Sequence, residues 1–208
     1  MFSLPNFTTI LYMLPGILLG LSFHEFAHGL AADLLGDPTA RRAGRLTMNP
    51  AAHIDIIGFL ALILAGFGWA KPVPVNSFLF KGNRRAGIIV VSLAGPLANL
   101  LMAVAGTVVA GIGLGGPIIL RMVAWLIYIN VMLAVFNLVP IPPLDGSQIL
   151  AALLPSLGSW FLWLQQYGMI VLIILLFTGL FQFIIRPPIM WIVSGLNQIS
   201  LLVNTLVH

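Results

Sequence analysis

Residues 7–35 read FTTILYMLPGILLGLSFHEFAHGLAADLL. The run is apolar for longer than the ~20 residues a helix needs to cross a hydrocarbon core. Only Pro15 and a group of ionisable residues (His24, Glu25, His28 and Asp33) interrupt it. Gly36-Asp37-Pro38 closes the run, because Gly suits the position just past a helix and Pro cannot continue one. Two readings follow together: the segment is a membrane helix, and it carries charge where charge is costly. Ionisable groups in such a helix mark function by default.

The group has a chemical pattern. His24 and His28 are four residues apart, so they share a helical face and can bind one metal ion. Glu25, next to the first imidazole, can take a proton from water activated by that metal. Glu25 is the only Glu in the chain, and the pair uses two of its four His. The competing reading is that these groups only hydrogen-bond across helices, which would not require an acid between two imidazoles.

Composition extends the membrane reading to the whole chain. Of 208 residues, 60% are hydrophobic and 7% charged, with mean hydropathy +1.10. Soluble domains carry roughly 25% charged residues, so this chain cannot coat a soluble fold. Disorder is excluded as well, because it needs low hydrophobicity. With no Cys, disulfides and Cys-ligated metal sites are excluded. The net charge of +4 is better explained by loop cations that orient membrane helices than by a nucleic-acid partner. The N-terminus lacks a basic n-region, so the first apolar run is expected to belong to the mature protein.

The expected architecture is one polytopic α-helical membrane domain over 1–208. It has about five membrane helices, one of them re-entrant, and short strands near the site. The helix with the His-Glu pair spans 7–35. A polar loop with strands covers 36–85, with candidate strands at Arg41–Thr47 and Lys71–Asn76 and a re-entrant segment at 54–69. Spans follow at 86–112 and 117–139, then an Asp-Gly loop and short helix at 140–155, and a span at 160–185. The stretch 189–207, after Arg186-Pro187-Pro188, is an interfacial or additional helix. Segment 54–69 is short for a crossing and contains Gly58, Gly66 and Gly68.

Zinc takes three protein ligands and keeps an open position in a catalytic site. Candidates for the third are His53, Asp55, Asp33, Asp37, Asp145 and His208. Asp33 points about 140° away from His28 on an ideal helix. Asp37 is expected to pair with Arg41 or Arg42, and His208 is terminal. Asp145 follows Pro140, Pro142 and Pro143 and precedes Gly146. The prolines impose a rigid turn and the Gly a tight one, which would hold a carboxylate in place. Capping of a following helix by Asp145 stays open as the alternative.

His24-Glu25-x-x-His28, Gly95-Pro96-Leu97-Ala98-Asn99 and Asn137-x-x-Pro140-x-x-x-Leu144-Asp145-Gly146, in this order on apolar segments, resemble the site-2 protease family of intramembrane zinc metalloproteases. The stretches Asn49–Asp55 and Gly68–Asn76 also resemble its compact bacterial and archaeal branch, which lacks PDZ and CBS domains. The resemblance covers roughly residues 20–150. It implies one zinc ion per chain on His24, His28 and Asp145, with Glu25 as acid/base. It also implies that Asn137 polarises the scissile carbonyl. His53 is either a residue that supports the site or touches substrate, or an interfacial His bonded to loop backbone. Asn99 reads as a polar packing contact near Gly95-Pro96 with the same supporting role open to it.

A shared metal constrains topology. The His-Glu pair and Asp145 each lie near the C-terminal end of a helix, so an even number of crossings must separate them. A full crossing by 54–69 would make the number odd, which is why that segment is expected to dip and return. Loop charge agrees when the site faces the cytoplasm. Arg41, Arg42, Arg45, Lys71, Lys81, Arg84 and Arg85 are then inside, and Arg121 and Arg186 outside, as the positive-inside rule asks.

The expected function is an endopeptidase of the cell membrane that cuts membrane-protein substrates within or beside their spans. An exposed edge at 41–47 or 71–76 could hold the unwound substrate. Two rivals are a transporter or channel, which would need paired repeats that the sequence lacks, and a catalytically silent zinc-binding scaffold.

Overall fold

The computed structural model describes residues 6–58 and 68–207. Helix α1 spans Phe7–Leu34 and α2 Thr39–Arg42. Helix α3 spans Arg84–Ile112 and α4 Pro117–Asn137. Helix α5 is Asp145–Leu153, α6 is Gly158–Thr178 and α7 is Leu180–Val207. Among the described residues, five helices (α1, α3, α4, α6 and α7) are long and apolar enough to cross a membrane. Large apolar side chains face outward along them; Phe177 is 83% exposed and Trp191 80%. On a soluble protein that surface would aggregate, whereas here it meets lipid. The protein is a multi-pass membrane protein.

Helices α1, α3 and α4 pack against one another, and α7 packs on α3 and α4. Ala103 of α3, Ile127 and Val131 of α4, and Ile189 and Leu196 of α7 form one buried cluster. Small residues let the backbones approach: a Cβ on Gly16 would stand 2.9 Å from the Leu126 Cα. Membrane helices associate through such close packing, since lipid gives no hydrophobic drive between them. Close packing thus holds α1, α3 and α4 together, and α1 and α3 supply two of the walls between which the functional groups lie.

Two helix boundaries differ from the sequence reading. The expected break at Arg186-Pro187-Pro188 is absent, because α7 runs through both prolines. Neighbouring helices and local adjustments re-satisfy the backbone groups that Pro frees in a membrane helix. The chain breaks instead at Gly179, with φ +75°, a conformation that favours glycine. Just before it, the Thr178 hydroxyl donates to the Ile174 carbonyl at 2.9 Å and takes up one terminal acceptor. Residues 189–207 are thus not a separate interfacial helix but the larger part of α7, which is buried at Ile189 and Leu196 and tied to α3 by Asn204 Nδ2 donating to Gly111 O at 3.1 Å.

No strand forms among the described residues at either expected place. Within Arg41–Thr47 the chain is helical to Arg42 and then turns at Gly44, φ +66°. The start signal is Asp37-Pro38-Thr39: the Asp37 carboxylate accepts from the Thr39 N–H two residues on at 3.0 Å, the bond of an Asx turn, which leads into α2. Residues 71–76 form no ladder. Pro72 and Pro74 have no N–H to give, and three of the remaining donors go elsewhere. Lys71 N donates to His53 O at 2.9 Å, Val73 N to Glu25 Oε2 at 2.7 Å, and Asn76 N to Asp37 Oδ2 at 2.6 Å. The re-entrant segment at 54–69 lies largely outside the described residues. Its two ends meet, since Ile54 and Ala70 form an antiparallel bridge.

Candidate metal centre

The first wall of the site is α1. Its Asn6 side chain caps the start by accepting from Thr9 N at 2.9 Å. His24 and His28, one turn apart, are both buried, and their Nε2 atoms stand 3.0 Å from each other. The second wall is α3, which presents Val91, Gly95 and Asn99 at successive spacings of four, hence on one face. The Val91 carbonyl oxygen lies 2.7 Å from His28 Nδ1, and Asn99 Oδ1 lies 2.7 Å from His24 Nδ1. Gly95 leaves the room for both rings. A Cβ there would meet His28 Nε2 at 2.4 Å and His24 Cε1 at 2.6 Å.

The third wall is the start of α5. After α4 the chain turns back on itself at residues 138–146. A Cβ on Gly146 would fall 2.2 Å from the Leu138 carbonyl oxygen, so only Gly closes the turn. The helix N-cap is Leu144, and Asp145 is its first helical residue. The capping alternative for Asp145 is therefore set aside: its side chain turns inward. Its Oδ2 lies 3.2 Å from both His24 Nε2 and His28 Nε2.

The chemistry of this triangle asks for a cation. His28 Nδ1 faces a carbonyl oxygen, which can only accept, and His24 Nδ1 faces the acceptor end of the Asn99 amide; with Nδ1 protonated, each imidazole turns its Nε2 lone pair inward. Asp145 Oδ2 is buried with no hydrogen-bond donor. Three electron-rich atoms thus converge with nothing between them to offset their repulsion. His24, His28 and Asp145 form the one cluster of ligating side chains among the described residues that could hold a metal ion. A tetrahedral zinc ion with bonds of about 2.0–2.1 Å spaces its ligand atoms about 3.3 Å apart. Edges of 3.0, 3.2 and 3.2 Å fit one face of that tetrahedron and leave its fourth vertex open.

The remaining candidates are placed as follows. Glu25, half-buried, lies outside the triangle, and its Oε2 accepts from Val73 N. Asn137, the last residue of α4, donates through Nδ2 to Leu133 O at 3.0 Å, a carbonyl of its own helix and not one freed by Pro140. Asn99 touches His24 directly. His53 is not brought to the triangle; it is buried, and its Nε2 donates to the Thr47 carbonyl at 2.7 Å. Asp55 accepts from Gly58 N at 2.8 Å and is not paired with His53. Asp33 pairs with Arg41, so Asp37 does not take the arginine expected for it. It is fully buried and accepts from Thr39 and Asn76 instead.

Sequence reasoning missed what four groups around the site touch. The Val91 carbonyl and the Val73 amide are backbone, which every residue carries, so no sequence signal marks them. Gly95 was visible as a small residue without a stated neighbour. Asn130 was visible too: it is an amide in the middle of an apolar span, and it accepts from Asn99 Nδ2 at 3.0 Å.

Comparison with known proteins agrees with this chemistry. Residues 113–179 match the model of peptidase family M50. The chain is 37% identical over 186 residues to YwhC of Bacillus subtilis (strain 168), covering 85% of this chain and 84% of that protein. It is 31% identical over 175 residues to Rip2 of Mycolicibacterium smegmatis, covering 80% of this chain and 66% of that one. A Methanocaldococcus jannaschii protein is 30% identical over 154 residues, with 72% and 75% covered. All three are named as zinc metalloproteases. No solved structure matches.

Proposed function

The chain belongs to peptidase family M50, the zinc metalloproteases of the site-2 type, and from that premise we propose that it cuts membrane proteins within or beside their spans. The observation that carries this reading is the position of the triangle. His24 and His28 belong to a membrane helix, and the site lies among α1, α3 and α5. A peptide bond reaching it must come from a segment in or at the bilayer.

We assign His24, His28 and Asp145 as ligands of one zinc ion. When bound, zinc makes water a nucleophile near neutral pH and polarises a carbonyl. Glu25 accepts the proton of the attacking water and returns it to the leaving amine nitrogen. Val73 N–H holds one carboxylate oxygen of Glu25, which orients the group and leaves the other oxygen for that proton. One amide hydrogen of Asn137 is committed to Leu133 O; the other is available to the scissile carbonyl oxygen as negative charge grows on it.

A helical substrate hides its carbonyls in i→i−4 bonds, so it must unwind before cleavage. Residues 71–76, whose middle amide already reaches Glu25, are the backbone against which it would be held extended. The antiparallel bridge between Ile54 and Ala70 supports a segment that dips and returns, because a single crossing would separate its ends by about 30 Å. Loop charge then favours a site on the cytoplasmic side of the cell membrane.

The test is quantitative proteomics of membranes from cells carrying the wild type or Glu25→Gln. Short fragments cut in or next to an apolar segment should vanish in the variant while its zinc content stays full. Cuts confined to soluble regions, or a fragment pattern indifferent to Glu25, would overturn the substrate class.

A further inference from the structure

One buried polar group near the triangle has no part in the chemistry above. Asn130 lies in the middle of α4 with no exposed surface. An amide there is costly unless its bonds are met, and an apolar residue would be the default choice for a span. Its bonds are met in a directed way. Nδ2 donates to the carbonyl oxygen of Leu126 on its own helix at 2.9 Å, which turns Oδ1 outward. That Oδ1 accepts from Asn99 Nδ2 at 3.0 Å, and Asn99 Nδ2 also donates to Gly20 O at 2.9 Å. Both hydrogens of the Asn99 amide are then spent. Its oxygen is the atom left for His24 Nδ1, at 2.7 Å.

We propose that Asn130 is a positioning residue for His24, acting through Asn99. Its oxygen fixes which way the Asn99 amide points, so that His24 keeps its proton on Nδ1 and its Nε2 lone pair towards the metal. The inference rests on His24, His28 and Asp145 being the zinc ligands. Three hydrogen bonds join Leu126 O, Asn130, Asn99 and His24 and so connect α4 to α1 through α3. In a low-dielectric core each link polarises the next. Without Asn130 Oδ1, the Asn99 amide has one partner fewer opposing a flip. A flipped amide would present N–H hydrogens to Nδ1 and favour the wrong tautomer for ligation.

The experiment measures zinc affinity by chelator competition on the purified full chain in lipid nanodiscs. Groups that orient a ligating His typically contribute about 10–100-fold in metal affinity. Asn130 stands one residue further out, so Asn130→Leu should weaken zinc by about 10-fold, the lower end of that range. Asn130→Asp, which in its neutral form keeps both an acceptor for Asn99 and a donor for Leu126 O, should stay within about threefold of wild type. The deciding readout is a double-mutant cycle. If Asn130 acts through Asn99, Asn99→Ala with Asn130→Leu is no weaker for zinc than Asn99→Ala alone. A purely structural role would make the two losses add.

An Asn130→Leu protein that keeps wild-type affinity, additive losses, or an Asp variant as weak as the Leu variant would each overturn the proposal. Should the Leu variant fail to fold, Asn130→Ala takes its place in the same cycle. Asp145→Asn serves as the control on the underlying reading. If it leaves zinc binding intact, the ligand assignment itself fails, and that failure is distinct from a failure of Asn130.

Discussion

At the scale of single residues, the site depends on small side chains as much as on ligands. Gly95→Ala would push a methyl group into both imidazoles. Zinc affinity should fall by at least the roughly 10–100-fold typical of disturbed ligand orientation. Metal analysis of the purified variant checks this, and a Gly95→Ala protein with full zinc at limiting metal would show that the rings can give way. Asn137→Ala separates two roles of one amide. Removing a donor to a developing oxyanion costs about 10²–10³ in kcat, so turnover should drop by that factor with zinc content and thermal stability unchanged. If activity and stability instead fell in step, with normal turnover per folded molecule, the bond to Leu133 O would be all that Asn137 provides.

At the scale of elements, Asp37 joins the end of α1 to the segment that reaches Glu25. Burial alone would raise its carboxyl pKa, but the Thr39 hydroxyl, the Asn76 N–H and the Thr39 N–H outweigh it and hold the group below the usual carboxylate value. Its folded pKa is thus lower than its unfolded pKa of about 3.9. The stability it contributes is fully present above that pH and is lost as pH falls through the lower folded value. Unfolding measured from pH 6 to pH 3 should show a loss of stability at the acid end in the wild type. Asp37→Asn should lack that component and be less stable at pH 6. Charged hydrogen bonds are worth roughly 1.5–3 kcal/mol each, so a deficit of about that size is expected at pH 6. An unchanged acid limb would mean that other carboxylates carry it.

At the scale of the whole molecule, the expected number of crossings between the two halves of the site is even. The Cys-free sequence allows single cysteines to report sidedness. Thr47→Cys, Arg85→Cys and Gln148→Cys should label from the cytoplasmic side, and Gly116→Cys, in the turn between α3 and α4, from the opposite side. Arg85 and Gln148 are exposed. Arg85→Cys labelling only from outside would remove the dip-and-return reading of 54–69.

The sequence by itself determined the chemistry and the solvent. Two imidazoles at helical spacing and the lone Glu beside them are local facts, and a lack of charge is a sum over the chain, so neither needs coordinates. It also marked Asp145, because prolines and a Gly around a polar residue constrain backbone wherever the chain goes, and Asn137 through the family resemblance. Only the tertiary structure decided what surrounds these groups. Val91 O and Val73 N belong to backbone and carry no mark in the sequence; Gly95 stands in a motif, but that its missing Cβ makes room for two imidazoles shows only in the fold. Likewise, Pro187-Pro188 looked like a stop and Arg41–Thr47 like a strand. Proline in a span is tolerated when neighbouring helices re-satisfy the backbone, and the Asp37 carboxylate takes the Thr39 N–H at the start of α2. The first outcome depends on neighbouring helices and the second on the contact that fixes Asp37 against Asn76, neither of which a local pattern contains.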